Sequence, residues 1–193
     1  MGLFPVDGNI VLYDTEFTSW PGFLEQGFRA PGRYPEVIQI GAVRIDAADD
    51  FAERDALDVL VLPRVNAKLS DYIIDLTGIT QVRLNEEAIR FSEALESFLE
   101  FVGDYDLYSF GTDGKIMTEN CKINDLPIPS VFEQEKNLKI MLAEAGLIDG
   151  EVMSSELPSY VGLPPEPNAH DALADARAVV RVLRYLRSEG RLA

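Results

Sequence analysis

The chain is poor in cysteine and in basic residues, and each shortage argues against a class of protein. Its single cysteine, Cys121, allows no disulfide within the chain and fits a reducing compartment. Only 17 lysines and arginines stand against 33 acidic residues, which gives a formal net charge of -16. A protein that grips long duplex DNA through its phosphates is normally basic. We therefore expect any contact with nucleic acid to be short and to depend on metal ions.

Long apolar runs are also missing from the chain. No stretch of about 18 apolar residues occurs, so the sequence predicts no transmembrane helix. The N-terminus has no basic segment followed by an apolar core, so no signal peptide is expected either. Hydrophobic residues nevertheless make up 47% of the 193 residues, which is enough for a sizeable core. Length and composition together predict one cytoplasmic domain over residues 1–193.

Strand and helix patterns follow one another in an order that predicts an α/β fold. Three strand patterns with short turns between them predict an antiparallel meander, and its second and third strands cover residues 36–45 and 57–62. A short helix is predicted between the cap residue Ser70 and Gly78. A fourth strand is predicted over residues 106–110, and further helices are predicted over residues 86–102, 115–123, 137–145, 156–161 and 171–187. We expect a mixed sheet, in which parallel strands join the meander, flanked by helices.

Two carboxylates close the first strand. Asp14 and Glu16 follow an apolar run and are spaced one residue apart, so in an extended strand they point to the same face. Two carboxylates held side by side raise each other's pKa unless a cation lies between them. The pattern is compatible with a metal site and also with a strand whose outer face carries two solvated acids.

The only histidine lies near the start of the last predicted helix. His170 and Asp175 are five residues apart, which is about 140° of net rotation on a helix, so they cannot converge if both are helical. They can converge if His170 lies on the preceding proline-rich loop and Asp175 lies in the helix. A base beside a fixed acid suits metal-assisted hydrolysis, while a cap-region histidine before an exposed acid is the alternative.

A third acidic position, Asp113, follows the fourth strand. It opens a predicted helix, where it can either reach a metal ion or act as the helix cap. Earlier in the chain, Arg29, Arg33 and Tyr34 lie on a loop rich in glycine and proline. These three residues predict either a basic, aromatic lip for a phosphate chain or an ordinary solvated loop.

The order Asp14, Glu16, Asp113, His170, Asp175 resembles the DEDDh family of 3'-5' exonucleases, whose fold is ribonuclease H-like. Segments 36–43, 76–80 and 108–113 resemble the same family. The last of them, with Glu119, Asn120 and Cys121 after it, is most similar to small-RNA-trimming exoribonucleases and their bacterial sporulation-inhibitor relatives. The resemblance covers residues 9–186. It is weakest in the loop at residues 20–35 and in segment 133–167, which flank the expected cleft.

The resemblance implies a metal-dependent 3'-5' exonuclease that removes nucleotides from single-stranded RNA or DNA by two-metal hydrolysis. It assigns two Mg²⁺ or Mn²⁺ ions to the acidic residues Asp14, Glu16, Asp113 and Asp175, and it makes His170 the general base. Phe17, Thr18 and Ile79 resemble the positions that hold the terminal nucleotide. The alternatives are a metal phosphatase acting on small phosphate esters and a non-catalytic binding module on the same fold. A monomer and a homodimer are both compatible with the sequence.

Overall fold

The computed structural model describes residues 6, 8–23, 25–28 and 30–192, so Arg29 lies outside the described residues. Within them, six strands form one sheet in the order β4-β3-β2-β1-β5-β6. The strands are β1 (Asn9–Phe17), β2 (Val37–Asp46), β3 (Ala52–Leu62), β4 (Ile89–Arg90), β5 (Asp106–Ser109) and β6 (Lys136–Asn137). β1, β2 and β3 pair antiparallel, while β5 runs parallel to β1, β6 to β5 and β4 to β3. The predicted mixed sheet is confirmed.

Helices cover both faces of this sheet. They are α1 (Asp71–Thr77), α2 (Gln81–Glu87), α3 (Phe91–Val102), α4 (Asp113–Ile123), α5 (Leu138–Glu144), α6 (Leu157–Tyr160) and α7 (Ala172–Ser188). Ser70 and Gly78 cap α1 as predicted. The single helix predicted over residues 86–102 is wrong at its start, because β4 pairs with β3 there and α3 begins only at Phe91. No helix among the described residues is both long and apolar enough to cross a membrane.

Alternate residues of β1 supply the two sides of the core. Ile10 and Leu12 pack in the cluster that includes α7, and Val11 and Tyr13 pack in the cluster that includes α3 and α4. α7 contributes an apolar stripe to this core, because Ala176, Val179, Val180, Leu183 and Leu186 are all buried. β1 is therefore buried on both faces, and its C-terminal end lies in the middle of the sheet.

Because Gly41 has no side chain, the start of α7 can lie directly on the sheet. Gly41 is paired with Asp14 across β1 and β2, and a Cβ atom built on Gly41 would overlap the backbone of Ala172 and Leu173. Gln39 holds the same helix end: its Oε1 accepts a hydrogen bond from the Ala172 N–H at 3.0 Å, and its Nε2 donates to Asp171 at 3.0 Å. These contacts bring the beginning of α7 beside the acidic end of β1.

Candidate functional site

Five residues that are far apart in the sequence line one cavity of about 480 Å³. They are Asp14, Glu16, Asp113, His170 and Asp175. The four acids are all buried, although each is a residue type that is rarely buried without a partner. Two other acids near the fourth strand do not line this cavity: Asp104 precedes β5 and Asp106 begins it.

Asp113 is fixed by the strand that carries the first two acids. Its Oδ1 accepts hydrogen bonds from the Thr15 backbone N–H at 3.0 Å and from the Thr15 hydroxyl at 2.7 Å. Because Thr15 lies between Asp14 and Glu16, these bonds tie the first residue of α4 to the end of β1. The second oxygen of Asp113 is not used in this contact.

His170 lies outside the helix, as the convergence of its side chain with Asp175 requires. It occupies the loop before α7 with a φ of 68°, a left-handed backbone conformation that is uncommon for residues other than glycine. Its N–H donates to Asp175 Oδ2 at 3.2 Å. Potential ligand atoms of Glu16, His170 and Asp175 all lie within 4.8 Å of one another.

Asp175 supplies the clearest indication that a cation belongs here. Its Oδ1 is buried and has no hydrogen-bond partner among the described residues. An unsatisfied buried carboxylate oxygen is costly, and a hard divalent cation is the partner that satisfies several such oxygens at once. The four carboxylates of the cavity are a donor set that fits Mg²⁺ or Mn²⁺.

Burial raises the pKa of all four acids. The pKa of Asp14 lies well above its ordinary value because of burial and then repulsion from Asp113 and Glu16. Burial, and then repulsion from Asp175 and Asp113, likewise raise the pKa of Glu16 well above its ordinary value. Burial raises the pKa of Asp113 to about 6 against the opposing bonds from Thr15, and raises that of Asp175 to about 7. Four full negative charges are therefore unfavourable in this cavity unless positive charge enters it.

The imidazole is shifted in the opposite direction. Partial burial lowers the pKa of His170, and the nearby charge of Glu156 only partly offsets this effect. His170 is therefore neutral at pH 7 and can accept a proton there.

Several residues of the cavity carry no signal in the sequence. Met153, Ser154 and Ser155 come from segment 133–167, and Ser154 lowers the pKa of Asp14, which partly opposes the effect of burial. Lys139, from the first turn of α5, also lines the cavity. The only hint in the sequence is that segment 133–167 flanks the expected cleft.

The three predicted nucleotide-binding residues occupy different environments. Phe17 lines the cavity. Thr18 is buried, and its hydroxyl donates to the Tyr34 carbonyl and accepts from the Glu36 N–H. Ile79 packs in the core cluster around α1 and α2. The structure thus brings Phe17 to the cavity but not the Thr18 and Ile79 side chains, and neighbouring residues Ser19, Tyr72, Ile73 and Leu76 line it instead.

Similarity to known proteins covers most of the chain. The family model described as Exonuclease (RNase_T) matches residues 11–183. The 3'-5' exoribonuclease 1 of Rattus norvegicus is 24% identical over 166 residues, which cover 80% of this chain and 48% of that protein. The corresponding protein of Mus musculus matches to the same extent. The chain thus spans about half the length of the curated relatives it matches.

Solved structures share the same fold. The nuclease domain of 3'hExo, a DEDDh family member bound to rAMP, superposes with a TM-score of 0.82 at 21% identity, covering 97% of this chain and 98% of that one. Cell-death related nuclease 4 superposes with a TM-score of 0.77 at 21% identity, covering 95% of this chain and 65% of that one. Exonuclease I of E. coli in complex with ssDNA superposes with a TM-score of 0.71 at 14% identity, covering 95% of this chain and 41% of that one.

Proposed function

The chain belongs to the exonuclease family, and from this premise we propose that it removes nucleotides one at a time from the 3' end of single-stranded RNA or DNA. The observation that carries the proposal is the cavity in which four buried carboxylates meet the only histidine of the chain. We further propose that residues 1–193 form one exonuclease domain, which the match over residues 11–183 supports.

Divalent metal dependence is a property of DEDDh exonucleases, and the donor set of this cavity fits it. We assign Asp14, Glu16, Asp113 and Asp175 as the residues that would hold two Mg²⁺ or Mn²⁺ ions. Bound ions would supply positive charge at the phosphate and lower the pKa of an attacking water. The unpartnered Oδ1 of Asp175 is the atom that most needs such an ion.

His170 takes the proton in this proposal. The attacking water gives a proton to the neutral imidazole as its oxygen bonds to phosphorus. The bond from phosphorus to the 3' oxygen of the preceding nucleotide then breaks, which releases a nucleoside 5'-monophosphate and a shortened strand. The hydrogen bond between the His170 N–H and Asp175 holds the histidine loop against α7. Thr15 holds Asp113 in the same way against β1.

The test is digestion of matched single-stranded RNA and DNA oligonucleotides, labelled at either end, with Mn²⁺, with Mg²⁺ and with EDTA. A 5' label should give a ladder that shortens with time, and a 3' label should appear at once as a mononucleotide. His170→Ala is the control for contaminating nucleases. Products that do not require metal, or a 5' label released first, would contradict the proposal, and cleavage of p-nitrophenyl phosphate alone would indicate a phosphatase.

A further inference from the structure

Most basic side chains of the described structure already have a partner. Nine lysines and arginines form ion pairs with carboxylates, and Arg184, Arg187 and Arg191 donate to backbone carbonyls. Within residues 30–192, the basic side chains that have neither kind of contact are Arg33, Lys68, Lys115 and Lys139. In a chain with a net charge of -16, the positions of these four cations are informative.

Three of these four cations lie at two neighbouring cavities. Lys139 lines the acidic cavity. Arg33 and Lys115 line a second cavity of about 520 Å³, which is within the ~300–1,000 Å³ range of ordinary ligand sites. Phe28 lines both cavities, so it forms the boundary between them. The second cavity therefore begins where the acidic cavity ends.

The second cavity combines apolar walls with uncompensated positive charge. Tyr34 and Ile116 are among the residues that line it. The Arg33 guanidinium lies 5.0 Å from the centre of the Trp20 ring, which orients it without a carboxylate. The one acid of this cavity, Glu119, is 2.6 Å from Lys122, so its charge is balanced.

Lys115, one of the two cations of the second cavity, lies close in sequence to the acidic site. It is exposed on α4, two residues after Asp113, and Asp113 lines the acidic cavity. A strand whose terminal phosphodiester lies against Asp113 can therefore reach Lys115 with the adjoining part of its backbone.

Aromatic or apolar surface together with cations is the combination that binds single-stranded nucleic acid, by stacking bases and neutralising phosphates. We propose that Arg33 and Lys115 form a subsite for the nucleotides immediately 5' of the terminal nucleotide. This inference rests on the proposed exonuclease function, and it explains how a strongly acidic protein holds a polyanion. It also predicts a preference for oligonucleotides over single-nucleotide esters.

The test compares two substrates that differ in what they can reach. A single-stranded hexanucleotide can fill both cavities, whereas the p-nitrophenyl ester of thymidine 5'-monophosphate can fill only the acidic one. The variants are Arg33→Gln, Lys115→Gln and the double variant. Lys68→Gln is the matched control, because Lys68 is also exposed and unpaired within the described residues but lines neither cavity.

In the double variant, KM for the hexanucleotide should rise about three- to tenfold, while kcat changes little. The rise should be several-fold larger than any change with the ester. The slope of log KM against log salt should fall by about 0.7 for each cation removed. Lys68→Gln should change neither KM nor the salt slope. Lys115→Arg keeps the positive charge, so it should keep the KM of the wild type where Lys115→Gln does not.

Equal effects on both substrates, or an unchanged salt slope, would overturn the subsite. If the wild-type protein hydrolyses neither substrate, the proposed exonuclease function fails instead. Fluorescence anisotropy of the labelled hexanucleotide then still decides on the subsite, since the double variant should bind more weakly than both the wild type and Lys68→Gln. Equal affinities in that measurement would refute it.

Discussion

Replacing one acid of the site by its neutral isostere should stabilise the metal-free protein. In Asp113→Asn the amide oxygen can still accept both hydrogen bonds from Thr15, so the variant loses a charge and keeps the contacts. Burial raises the pKa of Asp113 from 3.8 to about 6. The ionised carboxylate therefore destabilises the folded state relative to the unfolded state.

The size and sign of this effect follow from the pKa shift. Two pKa units correspond to about 3 kcal/mol, at ~1.4 kcal/mol for each unit. Because the folded state binds the proton more tightly than the unfolded state, the penalty is absent below about pH 4. It grows as the pH rises and is complete above about pH 7. For a chain of this length, about 3 kcal/mol corresponds to a Tm increase of roughly 6–12 °C.

Thermal unfolding of the wild type and of Asp113→Asn in EDTA, between pH 4 and pH 8, measures this difference. Asp104→Asn is the control, because Asp104 is an exposed acid near the same strand, and its change should stay within about 0.5 kcal/mol. Mn²⁺ at 1,000 times its Kd should reverse the order, since it stabilises the folded wild type by about 4.1 kcal/mol, which exceeds the gain of about 3 kcal/mol in the variant. A variant that is less stable than the wild type in EDTA at pH 8, or a difference that does not depend on pH, would refute the reasoning.

Three further predictions concern the histidine loop and the helix that follows it. His170→Ala should abolish turnover but leave stabilisation by Mn²⁺ nearly unchanged in thermal unfolding, whereas loss of both would make His170 a metal ligand. Because burial lowers the pKa of His170, the imidazole should remain a neutral base down to below about pH 6.5. The acidic limb of the activity–pH profile should therefore have its midpoint below that value, and a midpoint above it would contradict the assignment. Gly41→Ala should push α7 off the sheet, lower stability by about 1–3 kcal/mol and reduce kcat, and unchanged kinetics would show that the close contact is not needed.

The parts of the fold that could be predicted from the sequence are those with a local signal. The antiparallel meander, the caps at Ser70 and Gly78 and the apolar stripe of α7 are all visible in the residue pattern. β3 is longer than the strand predicted over residues 57–62, because its first half, from Ala52 onward, is mostly exposed and charged and has no apolar pattern. β4 and β6 have two residues each, so only pairing with a neighbouring strand defines them.

The residues of the site also divide into those with a local signal in the sequence and those without one. An acid at a strand end or beside a helix start, such as Asp14 or Asp113, carries its position in its local sequence. Ser154 and Lys139 lie in a segment without a clear pattern, and only the packed chain brings them to the cavity. Gly41 shows the same dependence, since its role is to leave room for α7, 131 residues further along the chain at Ala172. Convergence of the site therefore depends on close backbone packing as much as on the acids themselves, and a change at Gly41 should impair metal binding although this residue offers no ligand.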